Sequence, residues 1–260
     1  MRTGPFVTAL ATLGYVFLLS PVVIVVAVSF SADNFLNFPP SGWSLRWYGA
    51  VMDNDGLLAA MRTSALLAAC VTGLALLVGL PLAWAIARGR TPGWMLTVAT
   101  APLLLPTLVI GLGLLLALHP FGLIATWPGL VLGHLVVVLP FVVRIMTTAL
   151  LTTSVQLESA AAALGATPFR VFRSVTLPLA APGAMASAAL AFLLSFDETV
   201  ISLFLVGPRL TTLPVELFRY TQNRTDPLVA ALSVALIIVT LVVVVAVERL
   251  VGFTRTMGRS

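Results

Sequence analysis

FVTALATLGYVFLLSPVVIVVAVSF, residues 6–30, is an apolar run without a single charged side chain. An α-helix needs about 20 apolar residues to cross the hydrocarbon core of a bilayer, so this run is long enough to span a membrane. It is also longer than the apolar core of a secretory signal peptide, which has roughly 7 to 15 residues. We therefore predict an uncleaved first membrane helix.

Further apolar runs follow along the chain, and they do not alternate apolar with polar residues as the strands of a membrane barrel do. We predict that they form helices two to six, at about 63–87, 95–118, 128–150, 179–206 and 228–251. Pro102 and Pro106 predict a kink at the start of the third helix. Trp43, Trp47 and Tyr48 recur at helical spacing, which favours a short helix at the outer membrane surface. The sequence predicts an all-α membrane protein with six transmembrane helices.

The composition excludes several function classes. Hydrophobic residues make up 60% of the chain and charged residues 9%, against roughly 25% charged residues in a soluble domain. All the basic residues are arginine, so the chain lacks the lysine of a phosphate-binding loop. Cys70 is the only cysteine, and His119 and His134 lack the spacing of a helical metal site. We expect no cofactor, no metal and no ATP hydrolysis by this chain.

The arginines also predict orientation, because loops on the cytoplasmic side of a membrane protein are enriched in basic residues. With both termini inside, five arginines lie outside, at positions 46, 62, 209, 219 and 224. The larger group then lies inside: Arg2, Arg88, Arg90, Arg144, Arg170, Arg173, Arg249, Arg255 and Arg259. We therefore predict that both termini are cytoplasmic. The net charge of +5 reflects these flanking arginines rather than a nucleic-acid partner.

A less apolar segment, TSVQLESAAAALGATPFRVFRSVTLP, occupies residues 153–178 between the fourth and fifth helices. Thr153 and Gln156 can form a capping box before an alanine-rich helix. Gly165 suits the left-handed position that ends a helix. Thr167 and Pro168 are typical of the N-cap and first position of a second helix. The segment predicts two short helices joined at a glycine, at the inner membrane surface.

The same segment resembles the cytoplasmic loop of permeases in binding-protein-dependent ATP-binding-cassette (ABC) importers. The family pattern is Glu-Ala-Ala, three residues, Gly, nine residues, Ile or Val, one residue, then Leu-Pro. Ala160-Ala161, Gly165, Val175 and Leu177-Pro178 stand at those spacings. The family's glutamate would fall at Ser159, and Glu158 stands one residue earlier.

This resemblance implies the type I ABC importer fold, with residues 1–260 forming a single permease domain, core helices at about 63–251 and an ATPase-coupling loop at about 151–178. It implies a bacterial inner-membrane protein whose partners are an ATP-binding subunit homodimer, a second related permease chain and an extracytoplasmic solute-binding protein. The residues expected to carry the coupling are Glu158, Ala160, Ala161, Gly165, Phe169, Phe172, Val175, Leu177 and Pro178.

Residues 44–48, 139–144, 191–198 and 207–214 resemble the second permease of spermidine/putrescine-type importers. The resemblance implies a polyamine as solute, with an aminophosphonate, thiamine or ferric iron as alternatives on the same architecture. A self-contained secondary transporter is a less favoured alternative, because it would leave the coupling segment unexplained. A membrane-embedded enzyme would need a nucleophile with a base, or a metal cluster, at membrane depth.

Two acids, Asp197 and Glu198, fall within the predicted fifth helix, in the outer half of the membrane. An acid at membrane depth costs a few kcal/mol unless it faces water, a partner or a cation. Either Asp197 or Glu198 lines the solute pathway and attracts a cationic solute, or the acids have a structural role at a helix contact. The sequence leaves both readings open.

Overall fold

The structure, a computed structural model, describes residues 5–257. Helices account for nearly all of its regular secondary structure, with two isolated β-bridges, Ser31 to Trp43 and Gly207 to Leu210, among the described residues. The helices are α1 Pro5–Ser29, α2 Arg46–Met52, α3 Asp55–Ala87, α4 Trp94–Thr100, α5 Thr107–Leu118, α6 Trp127–Leu151, α7 Val155–Ala163, α8 Pro168–Val171, α9 Leu177–Phe196, α10 Val200–Leu205, α11 Leu213–Asn223 and α12 Leu228–Met257.

Four helical stretches of the described chain are long and apolar enough to cross a membrane, which confirms the all-α membrane fold. They are Phe6–Ser29, Asp55–Ala87, Trp127–Leu151 and Pro168–Phe196. A fifth is added if the bent pair Trp94–Leu104 and Thr107–Phe121 forms one span. The predicted sixth helix lies within α12, where the apolar part found among the described residues is Leu228–Val242. The count of six spans stays a prediction.

The predicted third helix is broken rather than kinked. α4 passes into a 3-10 turn at Ala101–Leu104, and the next helix leaves at an angle of 100°. A proline disfavours helical geometry in the residue before it, and Leu105 before Pro106 is extended, with φ −97° and ψ 141°. The sequence located this break correctly and underestimated its size.

The second membrane helix begins earlier than predicted. α3 starts at Asp55 rather than near residue 63 because the Asn54 side chain caps it. Asn54 Oδ1 accepts the Leu57 backbone N–H at 3.1 Å, which satisfies one of the donors left free at a helix start. The short helix predicted from Trp43, Trp47 and Tyr48 is confirmed as α2, Arg46–Met52, although Trp43 lies before it.

The chain forms two compact units. The first contains described residues 5–59 with Glu216–Leu241, and the second contains Ala60–Val215 with described residues 242–257. The prediction of one permease domain stays a prediction. Two arginines counted for orientation, Arg2 and Arg259, lie outside the described residues, and the side chain of Arg255 is not described.

The second unit is built around α6. This helix packs against α4, α9 and α10, while α5 packs along α10. The α6 residues facing these neighbours include Leu130, Val138, Val142, Met146 and Leu150, all at most 1% exposed. The threonine before α6, Thr126, caps it by accepting the Gly129 N–H at 3.2 Å. Both stretches from which a function was predicted, residues 153–178 and the acids Asp197 and Glu198, adjoin helices that pack in this core.

Candidate functional site

The segment at residues 153–178, which is expected to couple to an ATPase and which we call the coupling segment, begins with α7 at Val155–Ala163. Its N-cap is Ser154, and the Thr153 hydroxyl instead donates to the Ala149 carbonyl at 3.1 Å. The predicted capping box of Thr153 and Gln156 was therefore wrong, since the helix starts one residue later. Gly165 has φ +85°, which confirms the predicted left-handed end of this helix.

The second helix of the segment, α8, starts as predicted, but it continues into the next helix instead of forming a separate short helix. Thr167 is its N-cap, accepting the Arg170 N–H at 3.4 Å, and Pro168 stands in its first turn. A π-helical turn, Phe172–Thr176, then joins α8 to α9, so that Pro168–Phe196 is one helix of 29 residues. The wide turn stands just before Pro178, where the proline ring would disturb a regular helix. The coupling segment therefore continues directly into a membrane helix.

A buried ion pair ties α7 to the end of α3. Arg88 Nη2 donates to Glu158 Oε1 at 2.7 Å and Arg88 Nε donates to Glu158 Oε2 at 3.0 Å. The two side chains are 7% and 10% exposed. Arg88 Nη1 also donates to the Leu150 carbonyl at 2.9 Å, and the Thr176 hydroxyl donates to Glu158 Oε1 at 2.9 Å.

We call these four groups the Arg88 latch: the side chains of Arg88, Glu158 and Thr176 and the carbonyl of Leu150. The latch joins α3, α6, α7 and the turn that leads into α9. Hydrogen bonds from the Arg88 guanidinium hold the pKa of the Glu158 carboxyl below its ordinary value, although burial opposes this. Glu158 is therefore ionised near neutral pH, and the pair is charge-assisted and bidentate.

An aromatic contact lies beside the latch. The rings of Trp84 and Phe172 meet edge to face with centroids 5.4 Å apart. The guanidinium of Arg90 lies over the Trp84 ring, 4.1 Å from its centre. Phe172, one of the residues that the resemblance implied for coupling, is thus half-buried against its own chain.

The outward face of the segment is apolar and cationic. Leu164 is 90% exposed and Phe169 is 71% exposed. Arg170 and Arg173 are exposed as well, and neither guanidinium has an ion pair or hydrogen bond among the described residues. A cavity of about 300 Å³ lies between the end of α7 and the helix formed by α8 and the π-helical turn. Its lining residues include Leu164, Gly165, Arg170 and Ser174.

The predicted coupling residues thus fall into three groups. Ala160, Gly165, Phe169 and Pro178 are exposed, Ala161, Phe172, Val175 and Leu177 are half-buried, and Glu158 is buried. Sequence reasoning missed Arg88, Thr176 and Trp84. Arg88 ends a membrane helix, and that position alone did not single out its partner 70 residues away.

The two acids of the predicted fifth helix lie in a helix break, which corrects the prediction that they sit inside a helix. α9 ends at Phe196, Asp197 follows as its C-cap, and α10 begins at Val200. Glu198 Oε1 accepts the Ile201 N–H at 3.0 Å, so this carboxylate caps α10. The Asp197 side chain is exposed and has no hydrogen bond among the described residues. The structure therefore separates the two acids, one used internally and one free.

Comparison with known proteins identifies the chain. Residues 55–255 match the family described as "Binding-protein-dependent transport system inner membrane component". The chain belongs to this family. The permease is therefore an inner-membrane component of an ABC importer, which works with an ATPase and a solute-binding protein. Its relatives are transport permeases and not enzymes, as predicted for this chain.

Curated relatives extend over most of the permease. It is 33% identical over 239 residues to the putrescine permease PotI of Escherichia coli K12, covering 88% of this chain and 85% of PotI. It is 32% identical over 260 residues to the spermidine/putrescine permease PotC of the same strain, covering 99% and 96%. It is 30% identical over 242 residues to the putative 2-aminoethylphosphonate permease PhnV of Salmonella typhimurium LT2, covering 90% and 89%.

A solved structure supports the fold. The permease superposes with a TM-score of 0.76 on a chain of a bacterial ABC transporter involved in alginate import, covering 95% of each chain at 16% identity. At that identity the likeness shows the fold alone, and it confirms the predicted type I importer architecture.

Proposed function

We propose that this permease forms half of a pore for a small organic solute carrying a primary ammonium group, with a polyamine such as putrescine or spermidine as the first candidate. The observation that carries the proposal is the free Asp197 carboxylate at the break between the membrane helix that ends at Phe196 and the short helix α10. Discontinuous membrane helices form the solute and ion sites of many secondary transporters. An ionised acid facing lipid costs a few kcal/mol, which favours a position facing water or a cation.

The names of the relatives agree with this solute class. Two of the relatives have putrescine or spermidine in their names, and the name of the third contains 2-aminoethylphosphonate. A primary ammonium group is common to all three compounds. An aminophosphonate is therefore the second candidate, and its phosphonate would need a cation that a polyamine does not need.

Neutralising Asp197 separates its role from that of Glu198. In a transporter reconstituted with its partner subunits and binding protein, we expect Asp197→Asn to reduce putrescine uptake by about tenfold, the effect of losing roughly 1.4 kcal/mol of attraction to the cation. Glu198→Gln keeps an oxygen acceptor for the Ile201 N–H and should reduce uptake by less than about threefold. Initial uptake rates per assembled transporter provide the measurement.

Uptake that is unchanged in Asp197→Asn would remove the pathway role of this carboxylate. An equal loss of putrescine and of an uncharged solute would show a general defect instead of charge recognition. Competition by 2-aminoethylphosphonate in the same assay ranks the two candidate solutes.

We also propose that the exposed face of the coupling segment docks into a groove of the ATPase subunit. Leu164 and Phe169 supply the apolar part of that face, and Arg170 and Arg173 supply its charge. The only acid of the segment, Glu158, is used in the Arg88 latch. Charge complementarity therefore predicts an apolar groove with acidic side chains at its rim.

Polar replacement of the exposed apolar side chains tests this docking. We expect Leu164→Ser combined with Phe169→Ser to weaken ATPase association by about a hundredfold or more, because each of the two buried side chains contributes roughly 1.5–3 kcal/mol at an interface. Leu132→Ser, on the exposed surface of α6, is the matched control and should leave ATPase association unchanged. Co-purification of the ATPase subunit in detergent is the measurement, and wild-type retention in the double variant would contradict the docking surface.

The remaining assembly follows from the size of the pore. Six helices of one chain rarely enclose a solute pathway, so we propose a second related permease chain beside this one and a homodimer of ATP-binding subunits beneath the pair. We propose that both termini are cytoplasmic, which the arginine distribution favours. ATP-driven closure of the ATPase pair would move the coupling segment, and the continuous helix Pro168–Phe196 would carry that motion to the break at Asp197.

A further inference from the structure

His134 lies directly against the helix break, although neither the sequence reasoning nor the proposed function uses it. It belongs to α6 and is 1% exposed. Its Nδ1 lies 2.9 Å from the hydroxyl of Ser195, in the last turn of α9, and its Nε2 lies 3.0 Å from the hydroxyl of Ser202, in α10. Both serines are buried, at 2% and 0% exposure. One imidazole therefore bridges the two helices on either side of Asp197.

The directions of these hydrogen bonds follow from the serine hydroxyls. The Ser202 hydroxyl donates its proton to the Glu198 carbonyl at 2.7 Å, so it accepts from His134 Nε2–H. A neutral imidazole then has Nδ1 as its acceptor, which receives the Ser195 hydroxyl proton. In the neutral form, each ring nitrogen therefore has a hydrogen-bond partner, and both bonds link the ring to the helices on either side of the break.

The Asp197 N–H ties the start of the break to α9 by donating to the Leu193 carbonyl at 3.0 Å, and two side-chain contacts tie the rest of the break to α10. Glu198 caps the Ile201 N–H, and the Ser202 hydroxyl bonds the Glu198 carbonyl, so both contacts lie between the break and α10. Among the described residues, His134 is the side chain that hydrogen-bonds both to the end of α9 and to α10. His134 therefore links the two helix ends between which Asp197 lies.

We propose that His134 is a positioning residue, which holds the α9–α10 break so that the Asp197 carboxylate faces the solute pathway. The inference rests on the proposed role of Asp197. A histidine that only fills space in the core would affect stability and leave the exposure of position 197 unchanged. The bridge makes the exposure of that position depend on His134.

Thiol labelling at position 197 tests this without depending on the identity of the solute. The assembled transporter carries Asp197→Cys in a Cys70→Ser background, and the rate of reaction with a cationic methanethiosulfonate reagent is measured. We expect His134→Leu to slow labelling about tenfold, the order expected for the loss of two buried hydrogen bonds. Ser195→Ala combined with Ser202→Ala should reproduce this slowing. His134→Gln and His134→Asn, which can each keep one of the two bonds, should slow labelling by about threefold.

Arg209→Cys, an exposed position in the same unit, is the matched control and should react at one rate in every His134 variant. An unchanged rate at position 197 in His134→Leu, or equal slowing at 197 and 209, would overturn the positioning role. If His134→Leu does not assemble, the glutamine and asparagine variants decide by the same comparison. Failure of putrescine uptake with the labelling result intact would overturn the proposed solute and leave the role of His134 standing.

Discussion

Arg88→Met is expected to reduce ATP-driven uptake by well over tenfold and to lower the thermal stability of the purified permease. The substitution leaves the Glu158 carboxylate buried with Thr176 as its remaining side-chain donor and leaves the Leu150 carbonyl without the Arg88 bond. Removing one partner of a buried ion pair costs about 3–5 kcal/mol. That energy is enough to release α7 from α3 and α6. The coupling segment would then lose this connection to the core. Uptake in proteoliposomes and the unfolding temperature in detergent are the measurements.

Arg90→Met is the matched control, because Arg90 stands two residues away, contacts the Trp84 ring and forms no ion pair among the described residues, although its charge acts on Glu158 at longer range. An exposed cation over a ring contributes about 0.5–1 kcal/mol, so uptake should fall by less than about fivefold. Combining Arg88→Met with Glu158→Leu removes both charges and should restore the unfolding temperature, since an apolar pair often replaces a buried ion pair without loss of stability. Equal effects of Arg88→Met and Arg90→Met would contradict the latch.

Gly183→Ala is expected to destabilise the permease by about 1–3 kcal/mol, the usual cost of overpacking a core contact. A Cβ at Gly183 would lie 2.5 Å from the Cβ of Ala149, at the crossing of α9 and α6. Ala149 has no flexible end that could move aside, so the two helices must separate. Because α9 continues into the coupling segment, uptake should fall together with the unfolding temperature.

Gly113→Ala is the matched control for this contact. Gly113 also lies in a membrane helix, and no heavy atom lies within 4 Å of a Cβ built there. Its replacement should be neutral or slightly stabilising, because alanine favours helix over glycine. Ala149→Gly introduced together with Gly183→Ala reopens the crossing and should recover most of the lost stability. Without that recovery, the close approach of the two helices is not the cause.

Local sequence signals predicted the local features of the coupling segment. Gly165 was predicted to be left-handed because glycine lacks a Cβ, and Thr167 was predicted to be an N-cap because its hydroxyl can accept a backbone N–H. Both depend on interactions within a few residues. The predicted capping box at Thr153 was wrong, because the Thr153 hydroxyl bonds back to the preceding helix and the N-cap is Ser154.

The candidate site could be predicted only in part. Asp197 and Glu198 were both singled out, and the sequence could not divide their roles, since the division depends on where α9 ends. The burial of Glu158 was also not predictable from its neighbours. Its partner Arg88 lies 70 residues away, and Thr176 lies across the turn after α8.

The sequence by itself determined that this chain spans a membrane as α-helices. Its long apolar runs belong in lipid, and a helix satisfies the backbone hydrogen bonds of each run there. It also determined the family, through small residues, a glycine and a Leu-Pro pair at fixed spacing. Only the tertiary structure decided which polar groups are used internally and which are free. Glu158 is buried and Asp197 is exposed because pairing depends on which helices pack together, and no local pattern encodes contacts between residues so far apart in the chain.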